Sequence, residues 1–274
     1  MIKIEMPEIL LRSRERIPRL IHYCWFGGKP LPPLGKKCIK RWKRHLSDYK
    51  ILLWDETTFD IAAHPYTREA YNAKKWAFIT DYIRLYVLYH FGGIYLDTDI
   101  EVIKQLNRFL ADPAFTCFEP PNYIYPDKIV IQTGMIGAEK GNLWVKKMLD
   151  YYENKRFLDK NGVPDLTANP VPLTDITVRE FGLKLDQSFQ RLMNAVVIYP
   201  QEYFCPINWK DRKIKKTKHT YAIHYFSGSW TSDEVSSKYI KVRKQAGLLL
   251  KSLLGTKYYN IIANTLWRKF FKPK

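Results

Sequence analysis

Residues 92–99, Gly92-Gly93-Ile94-Tyr95-Leu96-Asp97-Thr98-Asp99, read as a stop, a short strand and a pair of carboxylates. The two glycines end a helically spaced apolar segment, Lys74 to Phe91, because they accept backbone conformations that other residues avoid. Ile94 to Leu96 then runs as a strand directly into Asp97 and Asp99. In open α/β sheets ligand crevices form at the C-terminal ends of strands, so the two carboxylates stand where a ligand would bind. Hard oxygen donors one residue apart suit Mg²⁺ or Mn²⁺ and leave coordination positions for the oxygens of a diphosphate. An Asp-x-Asp by itself is common in surface turns, so its surroundings must decide.

On either side of this stretch, strands are expected at Arg19–Phe26, Tyr49–Trp54, Phe115–Phe118, Ile129–Ile131, Val196–Tyr199 and Tyr221–Phe226. Helical spacing marks Leu34–Leu46, Leu143–Lys155 and Asp175–Leu183. This alternation predicts an α/β sheet covered on both faces. Asp81 and Arg84 interrupt the apolar helix that ends before Gly92 and lie three apart, on one face. A buried unpaired charge is costly, so each needs a partner; the plain alternative is an ion pair on a solvated face. His22 and Trp25 lie on the first strand beside Gly27-Gly28, where a Trp could stack on a nucleobase or simply fill the core. Late in the chain, AIHYFSGSW (222–230) is a strand followed by a small-residue turn. His224 there is a candidate Mn²⁺ ligand, and the turn with Ser227 and Ser229 a candidate phosphate cradle, although a histidine in an apolar strand is often a core residue.

Composition sets the boundaries. Apolar residues at 46% and aromatics at 15% exclude a disordered chain. The most apolar stretch, Trp76 to Leu96, contains Asp81 and Arg84 and so falls short of a membrane span. The N-terminus lacks the basic, apolar and small-residue order of a secretion signal, which reads as a cytoplasmic protein. Cys24, Cys38, Cys117 and Cys205 have no paired spacing and are expected to be reduced and buried. The net charge is +18, and the 238–274 segment carries ten Lys/Arg and no acid. Such a surface attracts anions, whether nucleic acid, lipid headgroups or diphosphates, or it only aids solubility. The tail's apolar stripe fits either a cap on the sheet or peripheral attachment to an anionic membrane.

Taken together, IHYCWFGG, TDYIR, FGGIYLDTDI and IHYFSGSW resemble the ordered motifs of glycosyltransferase family 32, over about residues 17 to 231. That family includes bacterial capsule and lipopolysaccharide sugar transferases and yeast-type mannosyltransferases; the large clostridial glucosylating toxins are distant relatives. The resemblance implies a GT-A type fold, a central mixed, mostly parallel sheet flanked by helices, over residues 1–231, with a basic amphipathic helical extension at 232–274. It implies a retaining, metal-dependent transfer of sugar from a nucleotide diphosphate, UDP foremost and GDP-mannose second, to a saccharide or lipid-linked saccharide acceptor, in bacterial cell-surface polysaccharide synthesis. Catalytic roles fall by resemblance to Asp81, Arg84, Asp97 and Asp99. Metal ligation falls to Asp97, Asp99 and His224, and nucleotide or phosphate contact to His22, Trp25, Tyr95, Ser229 and Trp230. The competing classes are a basic nucleic-acid-binding protein, for which no known binding motif is present, and a metal-dependent phosphohydrolase, for which a further cluster of ligands is missing.

Overall fold

The computed structural model describes residues 15–120, 128–208 and 213–227. Contacts divide the chain into two compact units, Met1–Phe226 and Ser227–Lys274. The expected 232–274 extension therefore lies outside the described residues, and every described strand and helix belongs to the first unit.

Seven strands form one sheet in the order β2-β1-β3-β6-β5-β8-β7. They are β1 (Leu20–Cys24), β2 (Lys50–Trp54), β3 (Gly93–Leu96), β5 (Ala114–Cys117), β6 (Met135–Ala138), β7 (Gln190–Leu192) and β8 (Val196–Tyr199). β1 pairs in parallel with β2 and β3, and β5 with β8, while β6 runs antiparallel between β3 and β5, and β7 antiparallel to β8. The sheet is thus mixed and largely parallel, as expected. A two-stranded ribbon of β4 (Ile100–Val102) and β9 (Ala222–His224) lies just beyond the acidic pair. The helices are α1 (Pro33–His45), α2 (Pro65–Asn72), α3 (Trp76–Phe91), α4 (Leu143–Asp150) and α5 (Pro170–Phe181).

The alternation of a strand divides its side chains between two cores. On β3, Tyr95 joins a cluster with Phe78, Ile83, Trp144 and Leu173 from α3, α4 and α5. Its neighbours Ile94 and Leu96 join a second cluster with Cys38 and Trp42 of α1, Ile100 and Ala222 of the ribbon. Buried strands on both faces explain why β3, β5, β6 and β8 carry no polar alternation.

Several expectations are corrected. Ile129–Ile131 is no strand; only an isolated bridge joins Ile131 to Phe118. The strand is β6, whose Met-Ile-Gly-Ala hides it because glycine is a poor strand former. The helix expected at Asp175–Leu183 begins at Pro170, since proline is tolerated in a first turn. The helix expected at Leu143–Lys155 ends at Asp150. α2 has no counterpart among the expected helices; Pro65 opens it and the His64 ring accepts from the Tyr66 N–H at 3.2 Å. All four cysteines are free and buried, in line with the sequence. Among the described residues no helix is long and apolar enough to cross a membrane.

Candidate functional site

Asp97 follows the last residue of β3, and its backbone N–H donates to the Gly134 carbonyl at 2.8 Å, just before β6 begins. The antiparallel β3–β6 pairing therefore sets the carboxylate against a residue with no side chain. Space there is essential: a Cβ on Gly134 would lie 2.7 Å from Asp97 Oδ2 and 2.7 Å from His224 Cε1. Asp99 precedes β4, and the ribbon register sets Ile100 opposite His224. His224 Nε2 lies 3.4 Å from Asp99 Oδ1 and 3.9 Å from Asp97 Oδ2. One ligand atom from each of Asp97, Asp99 and His224 falls within 4.8 Å of the others.

This donor set fits a divalent cation. Carboxylate and imidazole are both ligands of divalent metals, and a side chain at 134 would crowd two of the three. The buried His224 Nδ1 has no hydrogen-bond partner among the described residues. Burial lowers the affinity of His224 for a proton, but the carboxylates of Asp99 and Asp97 outweigh it and raise the pKa overall. A cation held here would replace that proton, as ligation requires a neutral imidazole.

Behind the pair lies a dry charge network. Arg84, 5% exposed on α3, donates to the Thr133 carbonyl at 2.6 Å and to Asp81 Oδ1 at 2.9 Å, and sits 3.6 Å from Asp97 Oδ1. Its guanidinium also lies over the Tyr95 ring, 4.8 Å from the centroid. The Tyr95 hydroxyl donates to the same Asp97 Oδ1 at 2.7 Å. Asp97 is thereby aimed from two sides. Burial pushes the Asp81 carboxyl up to about 7; Arg84 pulls it down, and Asp97 adds to the rise.

The sequence-predicted residues separate accordingly. Asp81, Arg84, Tyr95, Asp97, Asp99 and His224 converge. Tyr95 is fully buried, so the structure gives it Asp97 to hold where a ribose contact was expected. His22 is corrected outright: it is fully buried, Nε2 meets the Gly92 carbonyl at 2.8 Å and Nδ1 accepts from Trp54 Nε1 at 3.0 Å. Both ring nitrogens are occupied by the protein, so the ring locks β1 to the α3–β3 turn and offers no atom to a nucleotide. Trp25 follows β1, is half-buried, and its indole donates to the Lys29 carbonyl. Ser229 and Trp230 lie outside the described residues. Reading the sequence missed Thr133 and Gly134, whose signal, Gln132-Thr133-Gly134, is short and apolar-flanked. It also missed Glu101, a buried carboxylate on β4 that meets Lys37 Nζ and Arg41 Nε at 3.2 Å each and accepts from the Tyr225 hydroxyl at 2.5 Å.

Residues 32–116 match the family described as a glycosyltransferase sugar-binding region containing a DXD motif, roughly a third of the chain and including Asp97 and Asp99. Inositol phosphoceramide mannosyltransferase 3 of Schizosaccharomyces pombe is 31% identical over 128 residues, 43% of this chain and 34% of that protein. A mannosyl phosphorylinositol ceramide synthase of Saccharomyces cerevisiae is 30% identical over 103 residues, 36% of this chain and 27% of that protein. The chain thus spans about a third of the length of the curated relatives it matches. Among solved structures, the PaToxG glycosyltransferase aligns at TM-score 0.44 and 20% identity over 63% of this chain and 75% of that one. A glycosyltransferase involved in glycosylation of the major capsid of PBCV-1 aligns at TM-score 0.45 and 16% identity, over 81% of this chain and all of that one. The curated relatives are fungal and fall with the yeast-type mannosyltransferases of the resemblance, while none of them speaks for the bacterial role. The matched DXD sugar-binding region includes Asp97 and Asp99, and two of the relatives carry mannosyltransferase names.

Proposed function

We propose that this chain transfers a hexosyl group from a nucleoside diphosphate sugar to an acceptor hydroxyl, at a site built on Asp97, Asp99 and His224. The observation that carries the reading is the convergence of those three side chains at the C-terminal end of β3, backed by the Arg84 network. Asp97, Asp99 and His224 would hold a divalent cation, which supplies electrostatic stabilisation to a departing diphosphate.

The protein's own contribution is preorganisation. Tyr95 and Arg84 fix Asp97 before any substrate arrives, so its carboxylate needs no reorientation during reaction. Asp81 stands beside Arg84 with its second oxygen uncommitted to that ion pair, suited to accept from a sugar hydroxyl. The buried guanidinium offsets the charge of Asp81 and Asp97, so these carboxylates do not oppose a departing diphosphate uncompensated. Retention of anomeric configuration, taken from the family-32 resemblance, requires attack on the face the diphosphate leaves, and the departing phosphate oxygen can accept the acceptor's proton.

The donor is a UDP-sugar in the resemblance; the mannosyl names of the fungal relatives bring GDP-mannose forward beside it. The acceptor is a saccharide or lipid-linked saccharide in the resemblance; the names of the fungal relatives bring inositol phosphoceramide forward beside it. Calorimetric titration of UDP and GDP, with and without Mn²⁺, tests the reading. Metal-dependent binding of one nucleotide by the parent chain, lost in Asp99→Ala, is the expected result. Equal affinity with and without the metal, or no loss in the variant, overturns it.

A further inference from the structure

The acidic residues near the ribbon do not balance the helix that packs on it. α1 carries Lys36, Lys37, Lys40, Arg41, Lys43 and Arg44 and no acid. Glu101 answers only Lys37 and Arg41. Lys36, Lys40, Lys43 and Arg44 are exposed and meet no carboxylate among the described residues. At the helix C-terminus cations are favoured by the helix dipole, which accounts for Lys43 and Arg44; Lys36 and Lys37 stand near the other end, where the same dipole disfavours them. The fold therefore holds cations that it does not itself neutralise.

We infer that the exposed face of α1 docks on an anionic phospholipid bilayer. The loop before α1 and the helix's first turn present half-buried Leu31, Pro32 and Leu34 behind exposed Lys29, apolar side chains able to enter a headgroup layer that the lysines hold. The far end of the same ribbon extends the basic character: Lys104 donates to the Lys218 carbonyl at 2.7 Å, and exposed Ile214 stands beside Lys215 and Lys216. Nucleic acid fits this surface less well, because base stacking needs free ring faces. Here Tyr203 stacks with His219 and Tyr221, with centroids 5.5 and 6.3 Å apart, and Arg108 covers Tyr221 at 5.4 Å. Gly35, near the start of α1, would place a Cβ 3.5 Å from the carbonyl of Thr98, between Asp97 and Asp99. A docked α1 thus holds the acidic pair close to the lipid surface, where a lipid-borne acceptor would arrive.

The docking does not depend on the transferase reading, and its test uses no nucleotide. The full chain is sedimented with phosphatidylglycerol-phosphatidylcholine vesicles and with pure phosphatidylcholine vesicles at fixed salt. The first variant reverses four cations on α1: Lys36→Glu, Lys40→Glu, Lys43→Glu and Arg44→Glu. The second reverses four exposed cations elsewhere, Arg68→Glu, Lys140→Glu, Lys160→Glu and Lys184→Glu, for the same change in net charge. Circular dichroism checks that both fold. With roughly fivefold in affinity lost per surface cation removed, and the new glutamates repelling the lipid besides, the α1 variant loses at least about 500-fold on anionic vesicles while the control stays within a few fold of the parent. Equal loss in both variants, retention by the α1 variant, or a parent chain that ignores vesicles yet binds a single-stranded oligonucleotide through α1 would each overturn the inference.

Discussion

Two charge clusters flank the acidic pair, and they use the same residue types in opposite ways. Behind it, Asp81, Arg84, Tyr95 and Asp97 form a network with water excluded from the guanidinium. In front, Glu101 gathers Lys37, Arg41 and Tyr225, but its two cations are about half exposed, at 53% and 41%. In the dry cluster each charge is held because releasing it would strand its partner in low dielectric. In the wet cluster water and salt can replace either partner, so its geometry is a preference and not a requirement. Asp97 is therefore aimed by the interior, while the ribbon bearing His224 is only steadied from outside.

Arg84 should matter most. Arg84→Met leaves Asp81 and Asp97 without their buried cation, and urea unfolding should show a loss of about 3–5 kcal/mol; a loss under about 1 kcal/mol would mean the network is wetter than the structure has it. Next, Tyr95→Phe removes a hydrogen bond to a carboxylate and keeps the ring under Arg84. A stability loss of about 1.5–3 kcal/mol, with weaker metal-dependent nucleotide binding, is expected. If nucleotide binding is untouched, Tyr95 does not aim Asp97.

A pH scan probes the interior by another route. Burial lowers the His22 pKa below the ordinary 6.5, even though the Gly92 carbonyl favours the charged form. The unfolded chain therefore takes up a proton that the folded chain resists: this share of the stability is complete above 6.5 and is lost as pH falls through the depressed folded value. Protonation also breaks the Trp54 bond to Nδ1, worth about 0.5–1.5 kcal/mol. Denaturation midpoints between about pH 7.5 and 5 should fall for the parent and fall less for His22→Asn; superimposable profiles would remove His22 from the account. The weakest response belongs to the wet cluster, where Glu101→Gln should cost about 0.2–1 kcal/mol, shrinking in high salt. A salt-independent loss above about 2 kcal/mol would show that Lys37 and Arg41 hold Glu101 as firmly as Arg84 holds its carboxylates, and would erase the contrast.

How far the sequence could be read has the same physical basis. The 92–99 octapeptide is legible because a glycine pair, a buried strand and two carboxylates each leave a local mark. Gly92 and Gly93 do hold positive φ, 68° and 109°. Asp81 and Arg84 are legible as charges in apolar surroundings, the kind of conflict that burial resolves by pairing. What escapes a local reading depends on contacts far apart in the chain. Nothing near residue 22 announces that Trp54 and Gly92 will take both nitrogens of its ring. Glu101 looks like any exposed acid until α1 and β9 close over it. β6 is illegible for the opposite reason: its Gly137 is selected by the Phe115 ring, which would lie 2.1 Å from an added Cβ, and not by strand propensity.

The bare backbone at Gly134 has a practical use. A single methyl there lands between Asp97 and His224, whose atoms are the nearest it would meet. Gly134→Ala is therefore a plug one carbon in size, which leaves every charged ligand in the sequence. Where removing Asp99 would alter charge as well as shape, this substitution changes shape alone. If the proposed transfer holds, Gly134→Ala is expected to abolish metal-dependent nucleotide binding in calorimetry while leaving the fold intact, and unchanged binding would show that the site tolerates the methyl.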